Sequence, residues 1–281
     1  MKIAYMPSAL LFFLVSVLAA SAFAKDNMQA DDQEQAICRY SSPSIYVVDE
    51  GKLRYLRFGS LEGSDQSILD LENPNRLTMP YLRPAALAAE VVGHFRNALI
   101  IGLGGGGFTR YLRRRFPALI IDAVEIDPEV VMVAKRFFGI SEDKYLNIHL
   151  VDGAAYMEEL SISPVGRYDL IFLDAYDGDR IPEPLTTERF LTNVRKQLRE
   201  QALVIANVGK EDLNTYRLRF GRIFPECFQL RAWQDANVIF VGSKAKLPSR
   251  QEVIRKANSL DTRLVSGFLY STIARTWKHC Q

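Results

Sequence analysis

The sequence lacks a charge excess of either sign and contains little histidine or cysteine. Its 281 residues include 35 basic and 33 acidic side chains, with three histidines and three cysteines. So balanced a charge gives no global electrostatic reason to expect a nucleic acid or a membrane surface as partner. The histidines are scattered and form no metal-ligand pattern with cysteines or acids, so no bound metal is expected.

The chain has one long apolar run, at its amino terminus. Residues 1–24 resemble a secretory signal peptide, with Lys2 as the positive end, an almost wholly apolar stretch at 9–20, and Ala-Phe-Ala at 22–24 as cleavage site. The run is short for a membrane-spanning helix. We therefore expect a secreted or periplasmic protein without stable membrane insertion after cleavage. The alternative is a membrane anchor formed by residues 9–24.

The three cysteines gain importance if the chain is exported. In an oxidising compartment Cys38, Cys227 and Cys280 would supply one disulfide and leave one thiol over. A bridge between Cys38 and Cys280 would tie together the two ends of the mature chain. The sequence leaves the pairing open, and three unpaired thiols are equally compatible with it.

Composition and patterning divide the rest of the chain into three parts. Residues 25–43 are predicted to be a polar leader. Residues 44–82 are predicted to form a small antiparallel β unit, because two β-rich runs at 45–48 and 53–58 flank a turn sequence and a third run follows at 66–71. Residues 83–281 then form the main domain.

The main domain alternates strand and helix patterns. This alternation predicts an α/β fold with a doubly wound parallel sheet. A closing hairpin near 228–241 would make the last strand antiparallel, as is typical of the class I S-adenosylmethionine-methyltransferase fold, and 249–278 would be helical. The predicted strands are 98–101, 119–124, 147–151, 168–173 and 202–207, and the predicted helices lie near 106–116, 128–138, 154–160, 187–199 and 212–223.

A glycine-rich turn follows the first of these strands. It reads Gly-Leu-Gly-Gly-Gly-Gly over 102–107, and Glu125 ends the next strand about 20 residues later, as a nucleotide site requires. Glycines allow a tight turn close to a ligand, and the following helix offers free N–H donors. We expect Gly102, Gly104, Gly105 and Gly106 to bind a nucleoside. A dinucleotide enzyme and a turn that only packs helix on sheet are the alternatives.

Four motifs in order resemble those of the spermidine synthase (polyamine aminopropyltransferase) superfamily, and the resemblance spans about residues 44–243. It implies a methyltransferase-like fold, decarboxylated S-adenosylmethionine as co-substrate, no permanently bound cofactor, and a small-molecule amine such as putrescine as acceptor. It also implies a homodimer built through the N-terminal β unit. The motifs are residues 100–107, Val-Glu-Ile-Asp-Pro at 124–128, Val-Asp-Gly at 151–153 and Leu-Asp-Ala-Tyr-Asp at 173–177.

The same resemblance implies roles on the donor side. Glu125 would hold the ribose diol, for which a carboxylate is a good bidentate acceptor. Asp152 would accept a hydrogen bond from the adenine amine, and Gly153 would keep the backbone close to the ring. Asp152 also suits the N-cap of the following helix, and the two roles are compatible.

On the acceptor side the resemblance makes Asp174 the catalytic acid and Asp177 the second acid of a D-x-x-D loop. A carboxylate there can bind an ammonium group and take up its proton. Tyr81 and Tyr176 would line the substrate region, where an aromatic face attracts a cation. The alternatives are a turn-forming acid pair and ordinary packing of the two tyrosines.

Two departures from the family pattern bear on the substrates. Gly105 stands where the synthases have the acid of G-G-G-D-G-G, and Tyr81-Leu82-Arg83 replaces Tyr-Gln-Glu. Loss of the loop acid favours a donor that retains its carboxylate. The four motifs predict a spermidine-synthase-like transferase. The missing loop acid supports the alternative, an S-adenosylmethionine-dependent methyltransferase. A non-catalytic nucleoside-binding protein and a nicotinamide-dependent enzyme are further alternatives.

Overall fold

Two β-sheets organise the chain in a computed structural model that describes residues 36–162, 166–231, 237–263 and 267–280. Residues 36–281 cluster as one unit by their internal contacts. The signal-peptide prediction for 1–24 lies outside the described residues. Among the helices of the described part, none is long and apolar enough to cross a membrane.

The first sheet has four antiparallel strands in the order β1-β2-β3-β4. The predicted hairpin is confirmed, with Gly51 at φ 55° in its turn, and so is the third predicted strand. The prediction that 25–43 is a polar leader is wrong for its last part, because β1 pairs antiparallel with β2 as an exposed edge strand. The strands are β1 Ile37–Ser41, β2 Ile45–Glu50, β3 Leu53–Phe58 and β4 Asp65–Asp70.

The second sheet has eight strands in the order β12-β10-β11-β9-β8-β5-β6-β7. Strands β5 to β9 run parallel, and β11, β10 and β12 add antiparallel pairings. The doubly wound sheet with its closing hairpin is confirmed. The strands are β5 Asn97–Ile101, β6 Ile120–Glu125, β7 Leu146–Leu150, β8 Tyr168–Leu173, β9 Leu198–Val208, β10 Glu226–Leu230, β11 Val238–Ser243 and β12 Lys278–His279.

Helices cover both faces of this sheet, and several begin at caps that the sequence supplies. The Asp127 carboxylate accepts from the Glu129 N–H at 2.7 Å, with Pro128 at the first helical position. The predicted C-terminal helical segment is two helices followed by β12. The helices are α1 Leu82–Val92, α2 Gly107–Arg115, α3 Pro128–Phe137, α4 Gly153–Ser161, α5 Glu188–Gln197, α6 Leu213–Ile223, α7 Arg250–Arg263 and α8 Tyr270–Ala274.

The N-terminal sheet packs against α3 through its own apolar cluster. Ile45, Val47 and Leu56 from β2 and β3 contact Val130 and Val133, and all five side chains are buried. Burying a large aliphatic side chain stabilises a fold by about 1.5–3 kcal/mol. This packing holds β4 beside the glycine-rich turn, which matters for the site described below.

One disulfide joins two strands at the far edge of the large sheet. Cys227 of β10 is bonded to Cys280 just after β12, with 5.4 Å between their Cα atoms, and Cys38 is an exposed free thiol. The Cys280 N–H also donates to the Cys227 carbonyl oxygen at 3.0 Å. The structure thus selects a pairing that the sequence left open, and the bridge between the two chain ends does not form.

Candidate active site

A cleft of about 1460 Å³ lies at the carboxyl edge of the parallel strands. Strand β5 lies between β8 and β6, so chain connections leave it toward both sides of the sheet. In open α/β sheets ligands bind in the crevice formed at such a switch point. Residues from the N-terminal sheet, including Ser67 of β4, complete the cleft wall. The volume exceeds the roughly 300–1,000 Å³ of ordinary small-molecule sites, so a nucleoside donor and an acceptor fit together.

The glycine-rich turn forms one wall of the cleft. Gly102 has φ 93°, and a Cβ atom there would lie 2.3 Å from the carbonyl oxygen of Asp174. Only glycine tolerates both the positive φ and the close approach of β5 to the end of β8. Gly102, Gly104 and Gly107 line the cleft. Gly107, which the sequence-based set of contacts omitted, also begins α2.

Gly105 and Gly106 have a different role from the one predicted. Both are buried behind the cleft wall. The Gly105 N–H donates to the Ser67 hydroxyl at 2.8 Å, so this donor is already engaged, and a Cβ atom at 105 would lie 2.8 Å from the Ser67 Cβ and 2.9 Å from Phe138. A Cβ atom at 106 would collide with Ile140. The predicted contacts of Gly105 and Gly106 with a nucleoside are therefore corrected: the two residues pack beneath the N-terminal sheet.

Glu125 ends β6 and faces the cleft, as predicted. One carboxylate oxygen accepts from the N–H groups of Leu103 at 2.9 Å and Gly104 at 3.4 Å. The other accepts from the N–H groups of Ile126 at 2.9 Å and Asp127 at 3.2 Å. These bonds fix the carboxylate against the glycine turn. An ionised carboxylate has about four acceptor sites in its plane, so these four N–H groups engage all of them and make Glu125 an organiser of the loop. A ribose hydroxyl would bind Glu125 by sharing or displacing one of these donors.

Asp152 and Gly153 follow β7 and also line the cleft. The Asp152 carboxylate accepts from the Ala155 N–H at 2.8 Å and thereby caps α4. A Cβ atom at 153 would lie 2.6 Å from a methyl carbon of Ile101, so glycine is required where α4 begins against β5. Capping uses one oxygen of Asp152, and the other remains available to an adenine amine.

Asp174 follows β8 and lines the cleft. One oxygen accepts from the Tyr81 hydroxyl at 2.9 Å, and the other accepts from the Asn207 side-chain N–H at 2.8 Å. Burial raises the pKa of Asp174 to about 7, while the Asn207 and Tyr81 hydrogen bonds act in the opposite direction. A group poised near neutral pH is suited to general acid–base catalysis.

Tyr176 and Asp177 continue from Asp174 into the loop after β8, and both line the cleft. The Tyr176 hydroxyl donates to the Asn207 carbonyl oxygen at 3.1 Å and accepts from the Gly209 N–H at 2.8 Å. Burial raises the pKa of Tyr176. Asp177 is exposed and its backbone closes a turn with Arg180, so it occupies the cleft mouth and forms a turn at once.

Sequence reasoning missed three polar residues of this site. Asn207 is only 3% exposed and bonds to Asp174, Asn237 donates to Asn207 at 3.0 Å, and Ser67 supports the glycine loop. An asparagine in the otherwise apolar buried part of β9, residues 202–208, is a signal that could have singled out Asn207. Within the described residues, no group of three or more His, Cys, Asp and Glu side chains is arranged to hold a metal ion.

Known proteins resemble the chain over this same region. The model of the spermine/spermidine synthase domain matches residues 85–220. The polyamine aminopropyltransferase of Vibrio vulnificus is 28% identical over 229 residues, covering 78% of this chain and 75% of that protein. The enzyme of the same name from Chromobacterium violaceum is 32% identical over 166 residues, covering 59% of this chain and 61% of that protein. Over this region the chain is similar to members of the spermidine synthase superfamily.

Methyltransferases are also among the proteins that this chain resembles. The human eEF1A lysine and N-terminal methyltransferase is 35% identical over 123 residues, which cover 41% of this chain and 18% of that protein. Human methyltransferase-like protein 13, solved in complex with SAH, has 26% identity and a TM-score of 0.57, covering 66% of this chain and 92% of that one. Spermidine synthase from Thermotoga maritima has a TM-score of 0.66 at 18% identity, covering 85% and 82%, which supports the fold.

Proposed function

We propose that this protein is a transferase that moves an aminopropyl group from decarboxylated S-adenosylmethionine to an amine acceptor. The observation that carries this proposal is that Glu125, Asp152 and Asp174, from the ends of three parallel strands, face one cleft. The names of its relatives, polyamine aminopropyltransferases, support the same reaction class. A spermidine synthase of this fold has been solved with the transition-state analogue AdoDATO, which supports an adenosyl donor in the cleft.

The chemistry assigns a defined task to Asp174. An aliphatic amine has a reference pKa of about 10.4 and arrives as an ammonium ion. The Asp174 carboxylate takes one proton from it, and the freed nitrogen lone pair attacks the carbon beside the sulfonium. A carbon–nitrogen bond forms, the carbon–sulfur bond breaks, and the sulfur leaves with the bonding electrons as a neutral thioether. Before the proton moves, the ionised Asp174 carboxylate also attracts the ammonium group of the acceptor.

Calorimetry and a product assay test this proposal together. Wild-type protein should bind decarboxylated S-adenosylmethionine and alkylate one of a panel of diamines and polyamines. Asp174→Asn should abolish turnover and change the donor dissociation constant by no more than about threefold, because Glu125 and Asp152 hold the nucleoside. Asp143→Asn, on an exposed turn outside the cleft, is the matched control. Donor binding without turnover would support the nucleoside-binding alternative, and no binding would refute the proposal.

Intact S-adenosylmethionine and methyl transfer form a second candidate, because the glycine turn supplies no acid to the donor. The packing of Gly105 against Ser67 and Phe138 leaves no room for a side chain. Gly105→Asp should therefore destabilise the fold by about 1–3 kcal/mol through overpacking. Measured affinities and rates with the two donors decide between the candidates. If Gly105→Asp is as stable as wild type, the packing argument is wrong.

Export of the protein, with residues 1–24 removed, is part of this proposal. Its support is the leader pattern together with the buried Cys227–Cys280 bridge, since structural disulfides persist in oxidising compartments. Fractionation of a C-terminally tagged chain separates secretion and periplasmic location from the alternative, an anchor at residues 9–24. A homodimer through the N-terminal β unit stays a prediction, which sedimentation of the purified protein would test.

A further inference from the structure

We propose that Asn237 is a positioning residue for Asp174, because it holds the Asn207 amide with its N–H group toward the base. This inference rests on the proposed function, in which Asp174 takes up the acceptor's proton. Asn237 lines the same cleft, and its hydrogen-bonded connection to Asp174 runs through Asn207. It acts through Asn207, and neither asparagine belongs to the motifs that carry the resemblance to the spermidine synthases.

The three side chains cross three adjacent strands. Asp174 follows β8, Asn207 lies in β9, and Asn237 immediately precedes β11. The Asn207 side-chain nitrogen donates to Asp174 at 2.8 Å, and its side-chain oxygen accepts from the Asn237 nitrogen at 3.0 Å. The backbone carbonyl of Asn207 accepts from Tyr176 at 3.1 Å. The contact with Tyr176 therefore holds the backbone of Asn207, whereas the contact with Asn237 acts on the orientation of its side-chain amide.

The orientation matters because the two ends of an amide have the same shape and opposite hydrogen-bonding character. With its N–H toward Asp174, Asn207 favours the ionised carboxylate. After rotation by half a turn, its oxygen would face Asp174 and would favour the protonated acid. Asn237 presents an N–H to the other end of the amide and so stabilises the first orientation. Asp174 must be ionised to act as a base, and its ionisation then depends on Asn237, which lies one strand beyond Asn207.

Other groups also face Asp174. Tyr81 donates to it from the residue before α1, and Tyr176 lies beside it with its hydroxyl on Asn207 and Gly209. The remaining charged groups of the loops after β8 and β9 that line the same cleft are Asp177, Asp179, Arg180, Lys210 and Glu211, and those across it are Asp65, Glu125, Asp127 and Asp152. An uncharged substitution at 237 therefore tests the amide pair without adding or removing charge.

The experiment uses Asn237→Leu, which removes the donor at similar volume, and Asn237→Gln, which keeps a donor amide. Carboxyl ¹³C NMR gives the titration midpoint of Asp174, assigned by its loss in Asp174→Asn. We expect Asn237→Leu to raise the proton affinity of Asp174 at least about threefold, while Asn237→Gln stays closer to wild type. Asn214→Leu, at an exposed position of α6, is the control and should leave the midpoint unchanged.

Turnover supplies a second readout. In Asn237→Leu, kcat/KM should fall at least about threefold near pH 6.5 and recover near pH 9, with the donor dissociation constant unchanged, since a base that is fully ionised no longer needs the amide. An equal loss at every pH would mean a structural role and would overturn the proposal, as would an unchanged midpoint. If Asn237→Leu does not fold, Asn237→Ala is measured with the same expected direction.

The two readouts also separate this inference from the proposed function. The NMR titration needs neither donor nor turnover. A shifted midpoint in a protein that transfers no group would leave the role of Asn237 intact and refute the transferase proposal. If the enzyme is active but Asn237→Leu does not move the titration midpoint of Asp174, the transferase proposal stands and the role of Asn237 is refuted.

Discussion

Asp174 should lower the free energy of unfolding at every pH at which it is ionised in the folded protein. Its pKa rises from an ordinary 3.8 to about 7 in the structure because the carboxyl group is buried. The folded chain therefore keeps a proton at pH values where the unfolded chain has lost it. The free energy of unfolding then falls as the pH rises between these two values and stays low above pH 7. Asp174→Asn removes the titrating group and should remove this loss.

The magnitude follows from the size of the shift. A rise of the pKa by about three corresponds to about 4 kcal/mol at 1.36 kcal/mol per unit, and this value is an upper bound on the lost stability. Asp174 is partly open to the cleft, and the variant must rearrange its hydrogen bonds with Tyr81 and Asn207. We therefore expect the free energy of unfolding of Asp174→Asn, relative to that of wild type, to increase by about 2 kcal/mol as the pH rises from 4 to 8.

Urea unfolding of the disulfide-intact protein at several pH values measures this gain. Asp143→Asn is a control of opposite sign, because the Tyr145 N–H and Arg113 hold the pKa of Asp143 below its usual range. Removing Asp143 should make the variant relatively less stable as the pH rises. If the stability difference between Asp174→Asn and wild type does not change with pH, the assignment of Asp174 as a buried base poised near neutrality is refuted.

Two further predictions concern hydrogen bonding and the disulfide. Tyr81→Phe removes a hydrogen bond that lowers the pKa of Asp174, so the acidic limb of the kcat/KM profile should move to higher pH; a limb that stays in place would contradict the contact. Replacing Cys227 and Cys280 by serine should lower the free energy of unfolding by about 4 kcal/mol, because the bridge spans 53 residues. Cys38→Ser should leave unfolding unchanged, and equal losses in both variants would refute the pairing.

Local patterns were sufficient to predict most of the fold. Strand β5, the glycine turn and α2 follow from an apolar run, a cluster of glycines and helical spacing, all of which act over a few residues. The caps at Asp127 and Asp152 can be read in the same way. Strand β1 could not be predicted, because its residues are exposed and only pairing with β2 makes it a strand.

Sequence alone determined which acids end which strands, since the period of a strand and the turn that follows it place Glu125, Asp152 and Asp174 at one edge of the sheet. Tertiary structure decided what those acids and glycines meet. Ser67, distant in the chain, packs on Gly105 and turns a predicted ligand contact into a packing position. Asn207 reaches Asp174 only because β8 and β9 are neighbours. Such contacts depend on which strands and sheets come together, and no local pattern encodes that pairing.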